Sequence, residues 1–277
     1  MKAVREGPLQ RFSSKIEAEL KRSLPPLAAN PPKIHEAMRY AVLNGGKRFR
    51  PLLVLSACEA VGGDPKKALP AASAVEFVHA YSLVHDDLPA LDNDDLRRGK
   101  PACHRQFGEA LAILTGDALL TRAFELLSEI KPAGKSIQLI GELADAAGTH
   151  GMIGGQAADI LLVKNGSNGS SDIQTAEYIS RNKTGRLIEA SAVLGALIGT
   201  SSPSKLKRIR RFGAALGLAF QVADDIMDGD GYLRFMNPNQ ARKKFSNLIE
   251  KAKREARPFG KNGRPLFELA DFLGKFS

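Results

Sequence analysis

Apolar residues recur at intervals of three and four along almost the whole chain from residue 31 onward. This spacing puts them on one face of an α-helix, and runs with the alternating pattern of a β-strand are missing. The pattern predicts an all-α fold, a bundle of about ten helices around an apolar interior. The predicted spans are 10–23, 32–44, 48–61, 66–88, 109–130, 135–149, 173–182, 184–199, 203–228, 238–256 and 264–275.

The predicted helices are separated by segments rich in Gly, Pro, Asn and Ser, which favour turns. These segments are 44–51, 62–65, 131–135 and 165–172, and the last is predicted to be a flexible surface loop. No repeat, low-complexity tract or convincing linker divides the chain. We therefore expect residues 1–277 to form a single domain.

Two of the predicted helices, 184–199 and 212–228, are apolar around most of their circumference. Such helices are typical of the centre of a bundle, where no face meets water. Polar residues within them therefore need a reason, and the second of them carries three aspartates.

The formal net charge of +10 raises the possibility of a nucleic-acid partner, with 204–213 as the candidate surface. The cations of that segment, however, surround a helix whose apolar positions keep helical spacing, as on an ordinary solvated face. We expect no nucleic-acid partner. No apolar run reaches the roughly 20 residues of a membrane helix, and no cleavable leader begins the chain, so we expect a cytoplasmic protein without stable membrane insertion.

The first acidic motif lies at the end of the predicted helix 66–88. Asp86 and Asp87 precede Pro89, and Asp92 follows it. Helix C-termini carry partial negative charge, so unpartnered aspartates there are unfavourable. A bound divalent cation would remove that penalty. The alternative, an acidic solvated turn, would be the better explanation if this motif stood alone.

The second acidic motif lies in the apolar helix 203–228, where Asp224 and Asp228 share one helix face and Asp225 lies about 100° around it. Two such motifs on apolar helices suggest opposite walls of one cavity mouth. Ligands that are all oxygen select hard ions. Mg²⁺ fits best, because it is usually held by one or two carboxylates together with substrate phosphate oxygens.

Basic residues lie at turns or predicted helix junctions, where side chains and free backbone N–H groups together suit a phosphate. They are Arg97 and Arg98 after the first motif, Lys47 and Arg50 in GGKRFRP, and Lys183, next to Thr184, in RNKTG. Acids for a metal and bases for phosphate, beside an apolar cavity, indicate a site for a diphosphate that carries an apolar tail.

These residues stand in motifs that together resemble the trans-type short-chain prenyl diphosphate synthases, most closely the bacterial farnesyl diphosphate synthases. The motifs cover roughly residues 34 to 230 and are, in order, GGKRFRP, VEFVHAYSLVHDDLPALDNDDLRRGKP, FGEALAILTGDALL, GMIGGQAADI, NKTGRLIEAS and GLAFQVADDIMD. The resemblance implies a homodimer of isoprenoid-synthase-type helical bundles. Its substrates would be isopentenyl diphosphate and the allylic dimethylallyl and geranyl diphosphates.

The resemblance also assigns roles to individual residues. The Mg²⁺ ligands would be Asp86 and Asp92 with Asp87 nearby, and Asp224 with Asp225 and Asp228. The allylic diphosphate and its flanks would meet Arg97, Lys183, Thr184 and Gln221, which are the candidate catalytic residues. Isopentenyl diphosphate would bind Lys47, Arg50, His79 and Arg98.

Product length is expected to depend on Tyr81, five residues before Asp86 and followed by Ser82. With Pro89 and Ala90 inside the motif, this is similar to the bacterial farnesyl pattern, in which the aromatic ring floors the pocket for the tail. A fifteen-carbon product is therefore expected. Tyr81 as a plain core residue is the alternative.

The sequence departs from the resembled family after Asp228, where a counterpart of the lysine- and glycine-containing lid is missing. Either the protein lacks the lid and is impaired, or the sequence joins ordered residues across a mobile loop, which we favour. Other functions stay open. They are a geranylgeranyl diphosphate synthase and, more remotely, a terpene cyclase or a non-catalytic partner subunit, although such a subunit would be expected to lose aspartates.

Overall fold

The structure is a computed structural model that describes residues 10–164, 173–229 and 231–274. The described residues are predominantly α-helical, so the all-α prediction is confirmed. The predicted flexible loop 165–172 lies outside the described residues.

Within the described ranges, thirteen α-helices and one short antiparallel hairpin follow one another, with 3₁₀ turns between some of them. The helices are α1 Gln10–Ser23, α2 Pro32–Leu43, α3 Phe49–Ala60, α4 Leu69–Asp86, α5 Cys103–Phe107, α6 Glu109–Ser128, α7 Ala133–Ala147, α8 Met152–Lys164, α9 Ile173–Ile179, α10 Arg186–Gly199, α11 Pro203–Asp228, α12 Pro238–Ala256 and α13 Arg264–Gly274. The strands are β1 Leu96–Arg97 and β2 Lys100–Pro101, and a π-helical segment, Ser180–Gly185, joins α9 to α10.

The chain folds into two compact units, each built from two separate segments of the sequence. The first unit holds the described residues up to Leu52 together with Leu69–Ile140, and the second holds Leu53–Ala68 and the described residues from Gly141 onward. The single domain expected from the sequence stays a prediction.

The core of the first unit forms where α4 packs against α6, with α1 and α2 alongside. Nearly every α4 residue from Ala71 to Tyr81 is buried, because the helix carries small and apolar residues on all sides. Gly116 of α6 allows close packing here, since a Cβ at that position would lie 2.0 Å from His85 Nε2. The end of α4, which carries the first acidic motif, is thereby fixed in the unit.

The core of the second unit is built on α10 and α11, and both predictions of central helices hold. All residues of α10 from Leu187 to Ala196 are buried. Gly195 brings this helix against the backbone of α3, since a Cβ there would lie 2.0 Å from the carbonyl oxygen of Val54. The second acidic motif is therefore carried by a helix that packs against a largely buried helix of its unit.

Four elements differ from the sequence prediction. Helices α5 and α8 were not predicted, and the expected break after residue 182 is instead the π-helical segment. The small hairpin of β1 and β2 is the fourth difference. Among the described residues, no helix combines the length and the apolar character that a membrane crossing requires.

Candidate active site

The first acidic motif forms where α4 ends at Asp86. The backbone turns back on itself after the helix, and the N–H of Asp92 donates to the carbonyl of Asp86 at 2.8 Å. This turn gives the three aspartates different exposures: Asp86 is half-buried, Asp92 is exposed, and Asp87 is only 2% exposed.

Asp87 is held by Arg97, which the sequence analysis assigned to the allylic diphosphate. Arg97 Nε donates to both carboxylate oxygens of Asp87, at 2.9 and 3.2 Å, and Arg97 Nη2 also bonds Asp87. The same guanidinium reaches Asp94 Oδ2 at 2.9 Å. These hydrogen bonds to the charged form, and then the charges of Asp87 and Asp94, raise the pKa of Arg97 despite its burial. One member of the motif is thus an ion-pair partner within the protein.

The hairpin that carries LRRGKP aims its two arginines in different directions. Residues pair as Leu96 with Pro101 and Arg97 with Lys100, which leaves Arg98 and Gly99 at the turn. Both turn residues have positive φ, 55° and 77°, as a two-residue type I′ turn requires. Arg97 therefore meets Asp87, while Arg98 reaches the glycine-rich loop between α2 and α3.

That loop, which contains Lys47 and leads into Arg50 in the first turn of α3, lies against the guanidinium of Arg98. Arg98 Nη1 donates to the carbonyl oxygen of Gly45. Gly46 suits this approach, because its φ is +126° and a Cβ would lie 2.7 Å from the same nitrogen. The structure thus joins two segments that the sequence analysis assigned to isopentenyl diphosphate.

His79 on α4 belongs to the same basic cluster. Its pKa lies well below the ordinary histidine value, first because of desolvation and then because Arg50, Arg98, Arg48 and Arg97 oppose a further positive charge. The imidazole is therefore neutral at neutral pH. It can donate or accept a hydrogen bond there but contributes no net charge.

A small cavity of about 30 Å³, large enough for a water molecule, lies beside this cluster. Asp87, Arg97 and Arg98 all line it, together with the apolar side chains of Leu83 and Val84. Acidic, basic and apolar groups therefore converge in the first unit, as the sequence analysis expected of a diphosphate site.

Tyr81 lies in α4, one turn and a half before Asp86, and is 6% exposed. Its ring meets that of His85 edge to face at 5.8 Å. Within the described chain its hydroxyl has no hydrogen-bond partner. Burial, and then the charge of Asp86, raise the pKa of Tyr81 to about 12. The side chain is thus a neutral, bulky group close to the acidic motif.

The second acidic motif also has one buried member, Asp225, at 7% exposed. Its carboxylate accepts hydrogen bonds from Gln221 Nε2 at 2.7 Å and from the backbone N–H of Tyr232 at 2.9 Å. Asp224 is half-buried and Asp228 is exposed at the end of α11. Gln221, a predicted substrate contact, is therefore bonded to the motif itself.

The turn that follows α11 closes against Asp225. Gly229 ends the helix in the left-handed conformation, and its N–H donates to the carbonyl of Asp225 at 3.0 Å. Gly231 also has positive φ, 57°, and a Cβ there would lie 2.2 Å from Asp225 Oδ2. A 3₁₀ turn, Gly231–Arg234, then leads toward α12, which begins at Pro238. This is the part of the sequence in which no counterpart of the family's lid was found.

Lys183 and Thr184 lie in the π-helical segment that joins α9 to α10, so the helical backbone continues where the sequence predicted a break. Lys183 Nζ donates to Asp159 Oδ2 of α8 at 2.7 Å. The backbones touch as well, because a Cβ at Gly155 would lie 2.1 Å from the backbone nitrogen of Lys183. A π-helical turn inside an α-helix is frequent at functional sites.

Ion pairs further along α10 and α11 were missed by the sequence analysis. Arg210 donates to Glu142 at 2.6 Å and to the buried Glu189 at 3.0 Å, and Arg186 bonds Glu189 and Asp145. The helix face that looked like a simple solvated surface in the sequence therefore carries a connected network. The salt bridges fix α11 next to the helix that follows Lys183.

Two residues of the site itself were also overlooked. Asp159 stands in GMIGGQAADI, and its placement four residues after Gly155 on one helix face was the available signal. Arg48 stands between Lys47 and Arg50, and nothing in the sequence separates its role from theirs.

The donor set suits a metal that is only partly coordinated by protein. Among the described residues, no group of three or more His, Cys, Asp or Glu side chains is arranged to hold a metal ion without further ligands. Each acidic motif nevertheless offers a half-buried and an exposed carboxylate, Asp86 with Asp92 and Asp224 with Asp228. Two carboxylates in each motif agree with the one or two protein carboxylates that Mg²⁺ usually binds when substrate phosphates supply its other ligands.

Comparisons with known proteins agree with this architecture. The chain is similar over 95% of its length to a crystal structure of an FPP/GFPP synthase from Zymomonas mobilis, with a TM-score of 0.89 and 38% identity, covering 96% of that chain. A family model described as polyprenyl synthetase matches residues 31–258. The fold is that of the prenyl synthases, and the chain belongs to the polyprenyl synthetase family.

Curated relatives carry more than one product in their names. A farnesyl diphosphate synthase of Geobacillus stearothermophilus is 49% identical over 220 residues, which cover 78% of this chain and 72% of the relative. A heterodimeric geranylgeranyl pyrophosphate synthase large subunit of Arabidopsis thaliana is 51% identical over 203 residues, 72% of this chain. The chain spans about half of the Arabidopsis protein, 54% of its length.

Proposed function

We propose that the protein is a short-chain trans-prenyltransferase that condenses isopentenyl diphosphate with dimethylallyl and then geranyl diphosphate to give farnesyl diphosphate. The proposal depends on one observation above all. In a single compact unit, the acidic end of α4 lies beside a basic cluster that contains Arg50, His79, Arg97 and Arg98. Acids that suit a metal and bases that suit phosphate, side by side, favour chemistry on diphosphates.

Members of this family generally use Mg²⁺. We assign the ion to Asp86 and Asp92, with Asp87 nearby, and to Asp224 with Asp225 and Asp228. When bound, Mg²⁺ supplies neutralising charge to the diphosphate leaving group. As contacts of the allylic diphosphate and its flanks we propose Arg97 in the first unit, and Lys183, Thr184 and Gln221 in the second.

The reaction assigned to the site breaks the allylic C–O bond, and the diphosphate leaves with the electron pair. The double bond of isopentenyl diphosphate then forms the new C–C bond, and the released diphosphate takes the proton. Lys47, Arg50 and Arg98 are assigned to the isopentenyl diphosphate as cations, while a neutral His79 adds a hydrogen bond. Apolar surroundings exclude water that would quench the carbocation.

The fifteen-carbon product rests on Tyr81. Its ring is buried and bulky, and it lies before Asp86 on the same helix, which supports its assignment as the residue that stops a growing tail. A geranylgeranyl diphosphate synthase is the second candidate, favoured by the name of the Arabidopsis relative. We further propose a homodimer, a single domain and a cytoplasmic location; the word chloroplastic in the names of several plant relatives makes a plastid the alternative.

The test of the proposed function is incorporation of labelled isopentenyl diphosphate, with chromatography of the products. We expect incorporation that depends on Mg²⁺ and an allylic diphosphate, and a fifteen-carbon product. Absence of incorporation with both substrates and Mg²⁺ present would refute the proposal. A twenty-carbon product would favour the second candidate.

Replacement of Tyr81 by alanine tests the floor of the pocket. Tyr81→Ala opens the space of a buried aromatic ring, so the product is expected to lengthen by at least one five-carbon unit. Tyr81→Phe keeps the ring and is expected to keep the product. A product profile of Tyr81→Ala that stays at fifteen carbons would refute the floor.

A further inference from the structure

Arg48 stands inside the glycine-rich basic loop, yet its side chain turns inward. Only 7% of the residue is exposed. Its guanidinium donates to Glu76 Oε1 of α4 at 2.7 Å, to Glu17 Oε1 of α1 at 2.7 Å and to the carbonyl of Val42 at 2.9 Å. Three neighbours of the loop, α1, α2 and α4, are therefore tied to one loop residue.

Stability alone does not account for this arrangement. A buried ion pair gains little over well-packed apolar side chains, because desolvation opposes the attraction of the charges. Arg48 also has a φ of 51°, a left-handed conformation that is unfavourable for a residue with a Cβ. Unfavourable conformations of this kind persist where the surrounding contacts impose them, and they are frequent at functional sites.

The ion pair fixes the loop relative to the residues assigned to isopentenyl diphosphate. Arg48 directly follows Lys47 and precedes Arg50 by two positions. Its partner Glu76 lies three residues before His79, one turn earlier on α4. At the start of the same loop, Arg98 bonds the carbonyl of Gly45. A loop held at both of these points presents its cations in one geometry.

We propose that Arg48 is a positioning residue, which locks the loop 44–48 and the start of α3 onto α4 through Glu76 so that Lys47, Arg50 and His79 converge on one diphosphate. This inference rests on the proposed function, because it takes isopentenyl diphosphate as the ligand of that cluster. Arg48 itself does not touch the substrate. Its effect passes through the loop.

The test compares three variants with one control. Arg48→Asn removes the guanidinium, and asparagine tolerates the left-handed backbone. Glu76→Gln removes one charge and keeps the shape of the side chain. Arg48→Lys keeps the positive charge but lacks the planar set of guanidinium donors. The control is Arg22→Asn, which breaks another pair with a buried glutamate on α1, Glu19. All are assayed for both substrates by steady-state kinetics and for stability by thermal unfolding.

We expect Arg48→Asn and Glu76→Gln to raise the KM for isopentenyl diphosphate about tenfold or more, since small misplacement of binding groups is costly. The KM for the allylic substrate should stay within about twofold. Arg48→Lys should recover part of the loss, and Arg22→Asn should leave both KM values unchanged. Equal effects on the two KM values, or no effect on either, would overturn the inference. If Arg48→Asn does not fold, the KM values of Glu76→Gln decide between the two outcomes.

Hydrogen exchange on peptides that cover the loop separates this inference from the proposed function, because it needs no substrate. Amides of the loop should exchange faster in Arg48→Asn than in the unmodified protein and in Arg22→Asn. Faster exchange in a chain without prenyltransferase activity would reject the proposed function and keep the loop assignment. Unchanged exchange would reject the positioning role whatever the activity.

Discussion

Asp87 and Asp225 occupy the second position of the two acidic motifs, and both are buried, with 2% and 7% of the residue exposed. Their partners differ in kind. Asp87 is bonded to the cation of Arg97, whereas Asp225 accepts from an amide side chain and a backbone N–H, both neutral donors. In each motif the remaining two aspartates are the more exposed ones. The motifs thus share a division between a buried, structural carboxylate and more accessible ones.

The difference in partners decides what each buried carboxylate contributes. At Asp87 the negative charge itself is needed, because the neighbouring guanidinium cannot lose its proton. At Asp225 the amide of Gln221 and the N–H of Tyr232 are neutral donors, which need an acceptor in the same place rather than a charge. Substitutions that remove charge but keep shape can therefore separate the two roles.

The largest effect on stability is expected for Asp87→Asn. The amide leaves the charge of Arg97 without its main partner, and we expect the free energy of unfolding to fall by about 2 kcal/mol, less than for a fully buried pair because 33% of the Arg97 side chain is exposed. Urea denaturation measures this. The matched control is Asp94→Asn, which removes the second and half-exposed partner of Arg97 and should cost under about 1 kcal/mol. Equal losses in the two variants would contradict the comparison.

A comparable effect, no larger than that of Asp87→Asn, is expected for Gly231→Ala, on the side of the second motif. The new methyl group meets the Asp225 carboxylate, and the positive φ is unfavourable for alanine, so we expect a loss of about 2 kcal/mol, close to that of Asp87→Asn and no larger. Gly229→Ala is the control, because it has the same kind of φ and open space around a Cβ, and it should cost about 1 kcal/mol. Thermal unfolding distinguishes the pair, and identical melting temperatures would argue against tight closure of the turn.

The smallest effect is expected for Asp225→Asn. The amide oxygen still accepts from the N–H of Tyr232, and the amide of Gln221 can turn to pair with the new NH₂ group, so the free energy of unfolding should fall by less than about 1 kcal/mol. Asp225→Leu removes both acceptors and should cost more. A loss for Asp225→Asn as large as that for Asp87→Asn would show that charge is needed at both positions.

Much of the fold follows from the sequence, because helix positions depend on a periodicity that is strong in this chain. The central helices α10 and α11 were predicted from apolar residues on all sides. Helix α8 was not, since glycines at 151, 154 and 155 disfavour a helix in isolation. Its contact with the π-helical segment is made through backbone atoms and leaves no mark on apolar periodicity.

The site was predictable in its components but not in its pairing. The sequence places aspartates at the ends of helices and arginines after them, and the types of residue indicate a metal and phosphates. It does not reveal that Asp87 meets Arg97, because that contact depends on a turn at Arg98 and Gly99 only two residues long. Nor does it distinguish Arg48 from its neighbours, since burial within a basic loop is decided by glutamates distant in sequence, Glu17 and Glu76.

Gly155 has a consequence for the lysine one helix away. Its missing side chain lets two backbones touch, and the ammonium of Lys183 spans to Asp159 across that same contact. Any larger residue at this position would push the two segments apart. The distance between Lys183 and Asp159 would then increase. Active variants of this chain are therefore expected to keep glycine at position 155, although glycine has no side chain that could take part in the chemistry.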